Sequence, residues 1–565
     1  MKFKFNLRRF YNRQGLMFAV LLLFTIGLFF SCFISTVNCA SEPDKIVNNE
    51  AELREAINNA PTKKAVTIAL NNDITLTEST LIIPADKNII LTSNKATNYY
   101  KLIGSVHEPS QVTVGEYSVS TITVNGDAIL ELDGIGITHA CNYGGYTVTV
   151  AEKGQFILHR GLISSNIGGI YNNGIFLMYD GEISDNSVIN GGGVYNRGTF
   201  TMFGGKISGN RAGNNGGGVY NENTFEMLGG EISDNTASGG GGIYNWGGAN
   251  AINYKFTSGD TKEFLGYKGQ YGGSFTLSGG IISGNTAWRG GGVGNHGVFI
   301  MSGGLISDNT ATVSGGGVNN GQTIASGNFE MSGGEISGNI AEKGGGVYNF
   351  FYSTISLMDS GVISGNTAEL GGGVCIDGDF NMRGGMISGN TASNNGGGVY
   401  LGNGIFKLSS GKISKNTATN DGGGIWVDNE KLDLLFVANG VVFSSNRASA
   451  AYDRDSMHDK VYRSQIDNTV TWTAPFTQGY NNYDISYTSG KQVEITDNRP
   501  AVTDNENSNS DNGNFNSSNE NPNSNNEVAD MPSYSIAATV LSGLVIGIVV
   551  VCGFLYFKRL KKAYK

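Results

Sequence analysis

Residues able to do chemistry are few in this chain and far apart. Cleaving a glycosidic bond by acid–base catalysis takes two carboxylates at a fixed separation, and eliminating across a uronate takes clustered Asp holding calcium beside an arginine base. No two Asp stand side by side, and the five histidines, His107, His139, His159, His296 and His458, are scattered. Asp377-Gly378-Asp379 places two carboxylates on one strand face, where calcium is conceivable and a solvated corner is the plainer reading. Between the terminal apolar segments the only thiols are Cys141 and Cys375, far apart and without a CxxC pair, so neither a disulfide framework nor a zinc site is expected. The reading is a protein without catalysis, cofactor or metal.

Repetition dominates the remainder. One phrase returns around Asn166, Asn186, Asn210, Asn235, Asn285, Asn309, Asn339, Asn366, Asn390, Asn416 and Asn446, with a commonest gap of 24 or 25 residues. Three positions before each Asn stands an Ile, replaced once by Phe443. Seven positions earlier stands a Phe, from Phe156 to Phe436, with Ser356 the exception, and two positions after the Phe comes Met or Leu in most copies. That is the alternation of a half-buried strand. From the Asn, a small residue and a glycine run lead to an aliphatic such as Ile170, Val194 or Ile425.

Each period therefore predicts three short strands with tight turns and no helical pattern. The expected fold is all-β, a right-handed parallel β-helix of about 24 residues per coil with coils stacked ~4.8 Å apart. Equal positions then superpose. A column of inward Asn can bond its amides to its own turn and to the next Asn, satisfying groups a sharp turn would bury unpaired.

One outward column is less bland. The residue after each aliphatic must point away from the core, and it reads Tyr171, Tyr195, Tyr220, Tyr244, Gly294, Asn319, Tyr348, Cys375, Tyr400 and Trp426. Two readings stand: a stacked ladder that stabilises its sheet, or a flat aromatic platform for a glycan or a partner protein.

The ends of the chain set its expected location. Residues 1–40, with Lys2, Lys4, Arg8, Arg9 and Arg13 before an apolar run, read as a signal peptide. Residues 41–155 read as a cap and early coils, the cap being a helix from Glu50 to Ala60 with Leu53 and Ile57 on one face that covers an edge otherwise open to pairing. The repeat occupies 156–450, interrupted between Trp246 and Gly273 by an insertion bearing Tyr254, Tyr267 and Tyr271. A C-terminal β cap over 451–498, a disordered Asn/Ser-rich acidic stalk over 499–532, a transmembrane helix over 533–557 and a basic cytoplasmic tail over 558–565 complete the expectation. The formal charge of −10 includes five basic residues at each end, so the stretch between them carries −20. An acidic ectodomain at a cell surface, anchored in the plasma membrane and not bound to nucleic acid, is the expected arrangement.

The runs ISGNTAWRGGGV (282–293), ISGNTAELGGGV (363–374) and FSSNRA (443–448) resemble the repeats of the polymorphic outer-membrane protein family of adhesins, marked by an apolar-x-x-Asn element and a GGA-I type element. The resemblance covers residues 160–450 and implies a surface-displayed β-helix of pectate-lyase-like fold that binds glycan or protein partners. Two departures are plain: the second element reads GGG-V/I, and no C-terminal barrel of alternating strands follows. Pectate lyases and polygalacturonases share such scaffolds, which makes a polysaccharide lyase or hydrolase the alternative. Asn295-His296-Gly297 is similar to a polygalacturonase Gly-His-Gly but lacks its carboxylates.

Overall fold

Alternation of apolar and polar residues turns each repeat into one rung of a solenoid. The computed structural model describes residues 42–449 and 484–486, except 78, 96–98, 105–119, 140–144, 248–254, 257–261, 264–271, 323–326, 352, 354 and 439. The chain winds as a right-handed parallel β-solenoid of about 13 coils, about 26 residues per turn. The coil starting at Val194 is representative. Strand Val194–Asn196 leads to Thr199–Met202, then Lys206–Ser208, then Arg211–Asn215. Three glycines follow, and the next coil begins at Val219.

A coil thus holds four strands rather than the three expected. They form three sheets, because the Phe and Ile strands of later coils continue two long early strands, Ile129–Thr138 and Gln155–Ser164. The others are a sheet of 13 strands beginning in most repeat coils with Val or Ile, here the valine sheet, and a sheet of 10 strands with Ala inward, here the alanine sheet. The alanine strand escapes sequence reading because Thr-Ala-x-x carries almost no hydrophobic alternation. Corner insertions lengthen the mean period; Asn309 and Asn339 are 30 residues apart.

Registers place like on like. Val194 pairs with Val219, Tyr195 with Tyr220, Phe200 with Phe225, Met202 with Met227 and Ile207 with Ile232. Phe156, Phe176, Phe200, Phe225, Phe275, Phe299 and Phe329 form one buried stack with centroids 4.5 to 5.2 Å apart. Ser356 interrupts it as read, opposite Phe329. Phe436 does not join the column. The 3-10 segment Asn429–Leu434 delivers the chain one residue out of phase, so Leu435 pairs with Phe406 while Phe436 faces outward, 41 % exposed. A one-residue slip exchanges the two faces of a strand.

The glycine run has a steric cause at each position. Gly216 adopts φ +68°, where a side chain is strained. A Cβ on Gly217 would lie 2.5 Å from the Gly241 carbonyl oxygen, and one on Gly218 2.7 Å from that of Gly242. Successive corners touch backbone to backbone.

A helix forms over Glu50–Asn59, one residue shorter than expected; Asn49 Oδ1 accepts from the Glu52 N–H at 3.0 Å, and Leu53 and Ile57 are buried in the main core. Asp484, Ile485 and Ser486 continue the valine sheet past its last coil, Ile425 pairing with Ile485. The remaining residues of the expected C-terminal cap, the signal peptide, the stalk, the 533–557 span and the tail lie outside the described residues, as do Tyr254, Tyr267, Tyr271, Cys141, His107 and His458. Among the described residues no helix is long and apolar enough to cross a membrane.

Candidate functional site

The eleven repeat asparagines form one unbroken ladder. Each Nδ2 donates to the Oδ1 of the next, from Asn166 to Asn446, at 2.8 to 3.1 Å. From Asn186 on, each Nδ2 also donates to the carbonyl of an Ile one coil back, as Asn210 does to Ile183 at 2.9 Å. At the far end Asn446 Nδ2 donates to Asp484 Oδ1 at 2.9 Å. The residue before each ladder Asn is left-handed, from φ +55° at Asp185 to +68° at Gly338, and is always Asp, Gly, Ser or Lys. That conformation turns the carboxamide inward.

A second ladder went unread. Asn172, Asn196, Asn221, Asn245, Asn295, Asn320 and Asn349, each following the outward residue of the valine sheet, are fully buried and bonded amide to amide at 2.7 to 3.0 Å. The signal was present as Val-Tyr-Asn recurring beside the aromatic column. Ser356, the lapse in the Phe column, belongs to this ladder: its hydroxyl donates to Asn349 and accepts from Asn320 Nδ2 at 3.0 Å. The serine supplies interior hydrogen bonds where a ring could not.

The aromatic column is brought together, and it is not an open platform. Tyr171, Tyr195, Tyr220 and Tyr244 are 6 to 8 % exposed and Tyr348 9 %; only Tyr400 and Trp426 are half-buried. Tyr220 stacks on Tyr244 at 5.3 Å and Tyr400 on Trp426 at 4.5 Å, while Tyr171, Tyr195 and Tyr220 pack on one another tilted, with centroids 5.2 and 4.7 Å apart. A sugar needs a free ring face, and stacking occupies the faces. The column is broken at Gly294 and Asn319, and at Cys375, whose thiol burial pushes up.

Hydroxyls of the column are also engaged, by the corner residue of the following coil. Tyr171 accepts from Arg197 Nη1 at 3.2 Å, Tyr195 donates to Glu222 at 2.6 Å, Tyr348 donates to Asp377 at 2.7 Å, and Tyr244 pairs with His296 Nδ1 at 2.8 Å. Burial pushes the phenols of Tyr244 and Tyr348 up, Asp377 adding to the second. Burial, with the positive charge of Arg289, depresses His296 to about 4, so its imidazole is neutral and serves the Tyr244 hydroxyl.

Asp377 and Asp379 are likewise engaged between coils. Asp377 Oδ1 accepts from Asn403 at 3.2 Å and Asp379 Oδ1 from the Ile405 N–H at 3.0 Å. Among the described residues no three His, Cys, Asp or Glu side chains are grouped to hold a metal ion. His139 bonds Thr121, and burial lowers its pKa.

Aromatic surface that does reach solvent lies elsewhere. His159, Tyr179 and Phe203 stack on successive coils at 5.3 and 4.7 Å at the bend after the inward Leu or Met, followed by Leu228; Tyr179 is 43 % and Leu228 42 % exposed. His159 Nε2 meets Glu131 at 3.0 Å. Comparison of the chain with protein-family models, curated proteins and solved structures found no match.

Proposed function

We propose that this chain is a cell-surface display protein, adhesin-like and similar in architecture to polymorphic outer-membrane repeat proteins of pectate-lyase-like fold. In this reading a cleaved or retained N-terminal apolar segment directs export, helix Glu50–Asn59 covers the first coil, and the apolar segment 533–557 anchors the chain in the plasma membrane. The observation that carries it is the engagement of the described polar interior. Both asparagine ladders, the hydroxyls of Tyr171, Tyr195, Tyr244 and Tyr348, and Asp377 bond coil to coil, which leaves long repetitive sheet faces as the chemistry a partner can meet. Binding of a glycan or protein then draws on exposed edges such as Tyr179 and Leu228 and on the half-buried Tyr400–Trp426 pair. The test is attachment: cells displaying the full chain should retain glycan or host-protein probes from an array that cells lacking it do not. No probe retained sinks adhesion, and release of unsaturated or reducing sugar ends from acidic polysaccharides replaces it with catalysis.

A further inference from the structure

The alanine sheet is packed on one side and open on the other. Inward stand alanines such as Ala287, Ala311 and Ala368, while the first and third positions of its strands face solvent. Over all ten strands those outward positions carry two arginines, Arg211 and Arg447, and two glutamates, Glu342 and Glu369. Arg289 and Lys343, half-buried at the fourth positions of two of these strands, add two positive groups, so the face carries both signs and a second copy can pair them. Large apolar groups also stand on it: Trp288 is 52 % and Ile340 51 % exposed. The Arg289 guanidinium lies 4.4 Å from the Trp288 ring centroid, fixing the indole before any partner arrives. Exposed Trp and Arg are among the residue types enriched at interfaces.

We infer that this face pairs with the same face of a second copy, antiparallel, across a two-fold axis that runs along the strands at Trp288. The charge pattern fits that register. The strand of Arg211 lies two strands before that of Trp288, and the strand of Glu342 lies two strands after it. Rotation about the axis brings the strand of Arg211 in each copy opposite that of Glu342 in the other, two positions (~7 Å) apart along the strand, a gap the two long side chains can span, so both ion pairs form at once, as an isologous contact requires. Glu369 meets the strand of Ser187, which bears no charge on its outward positions. Seven strands of each copy overlap. At ~4.8 Å per strand and a width of about four residues, the shared face is roughly 440 Å² per copy, about half of the ~800 Å² per partner in a stable complex. The association is accordingly weak and reversible, and it is promoted where copies are concentrated.

The test uses the full chain in a mild detergent. Sedimentation velocity over a concentration series should show a reversible monomer–dimer equilibrium. Arg211→Glu should raise the dissociation constant about tenfold or more, and adding Glu342→Arg should restore it towards the starting value. Trp288→Cys, on the axis, should yield a disulfide-linked dimer on mild oxidation, whereas Thr417→Cys, five strands away, should stay at the background set by the chain's own cysteines. A chain that remains monomeric throughout the series overturns the inference. So does a dimer indifferent to the charge exchange, or a Trp288→Cys chain that cross-links no better than Thr417→Cys.

Discussion

Replacing Asn309 by Ala removes one link from the middle of the longer ladder, and the consequence can be counted. Asn309 Oδ1 accepts from the Asn285 backbone N–H at 3.0 Å and from Asn285 Nδ2 at 2.9 Å. Its Nδ2 donates to the Ile282 carbonyl at 2.9 Å and to Asn339 Oδ1 at 3.0 Å. Asn339 Oδ1 keeps a second donor, the Asn309 N–H at 3.0 Å. Two donors on Asn285 are therefore orphaned in a fully buried place, at about 1 to 3 kcal/mol each, for a loss near 4 kcal/mol. Solenoids open by segments, so the proper observable is local. Hydrogen exchange of the corner 282–287 should quicken about a thousandfold. The exposed neighbour substitution Thr310→Ala should leave that corner within about threefold of wild type. Exchange in Asn309→Ala less than about tenfold faster, or no different from Thr310→Ala, would refute the claim that the ladder holds the corner.

Three further outcomes are expected. Gly284 stands at φ +66°, where Asp234 and Asp308 occupy equivalent places at +58° and +57°; Gly284→Asn should be nearly neutral in thermal unfolding, whereas Gly284→Val should destabilise by about 1 to 3 kcal/mol. His296 has a folded-state pKa of about 4 against 6.5 unfolded, so the unfolded chain takes up a proton that the native state refuses. Stability is then full above about pH 6.5, declines as pH falls towards about 4, and levels off below, a total near 3 kcal/mol that His296→Gln should abolish in urea titrations. Cys375, wholly buried with its thiol pushed up, should resist maleimide in the native protein and react on unfolding, read by peptide mass spectrometry.

Ile163, Phe156 and Asn166 were legible because they recur at fixed offsets and each type has one physical reason to be there: a ring or branched chain to fill the core, an amide to satisfy a turn. The stacking followed from the period. The fourth strand was not legible, since Thr286-Ala287-Trp288-Arg289 has an Ala where a core position usually shows itself by size. The second ladder was hidden by its own neighbour: Tyr195 drew the eye to an outward column, and Asn196 beside it read as turn chemistry. The sequence also could not say that the tyrosines would be closed off. That depends on residues from the next coil, such as Arg197 over Tyr171 and His296 over Tyr244, a relation that appears only when the coil is wound. Phe436 misled because a 3-10 insert shifts phase without altering composition.

Every amide in both ladders points its nitrogen the same way along the chain. The molecule therefore has an arrow, and each rung offers its successor an identical socket. Excising one whole rung, for example residues 285–308, would bring together two ends that already match, while a partial excision would leave the arrow broken. Length is then a quantity that inheritance can adjust in whole units without redesigning any joint.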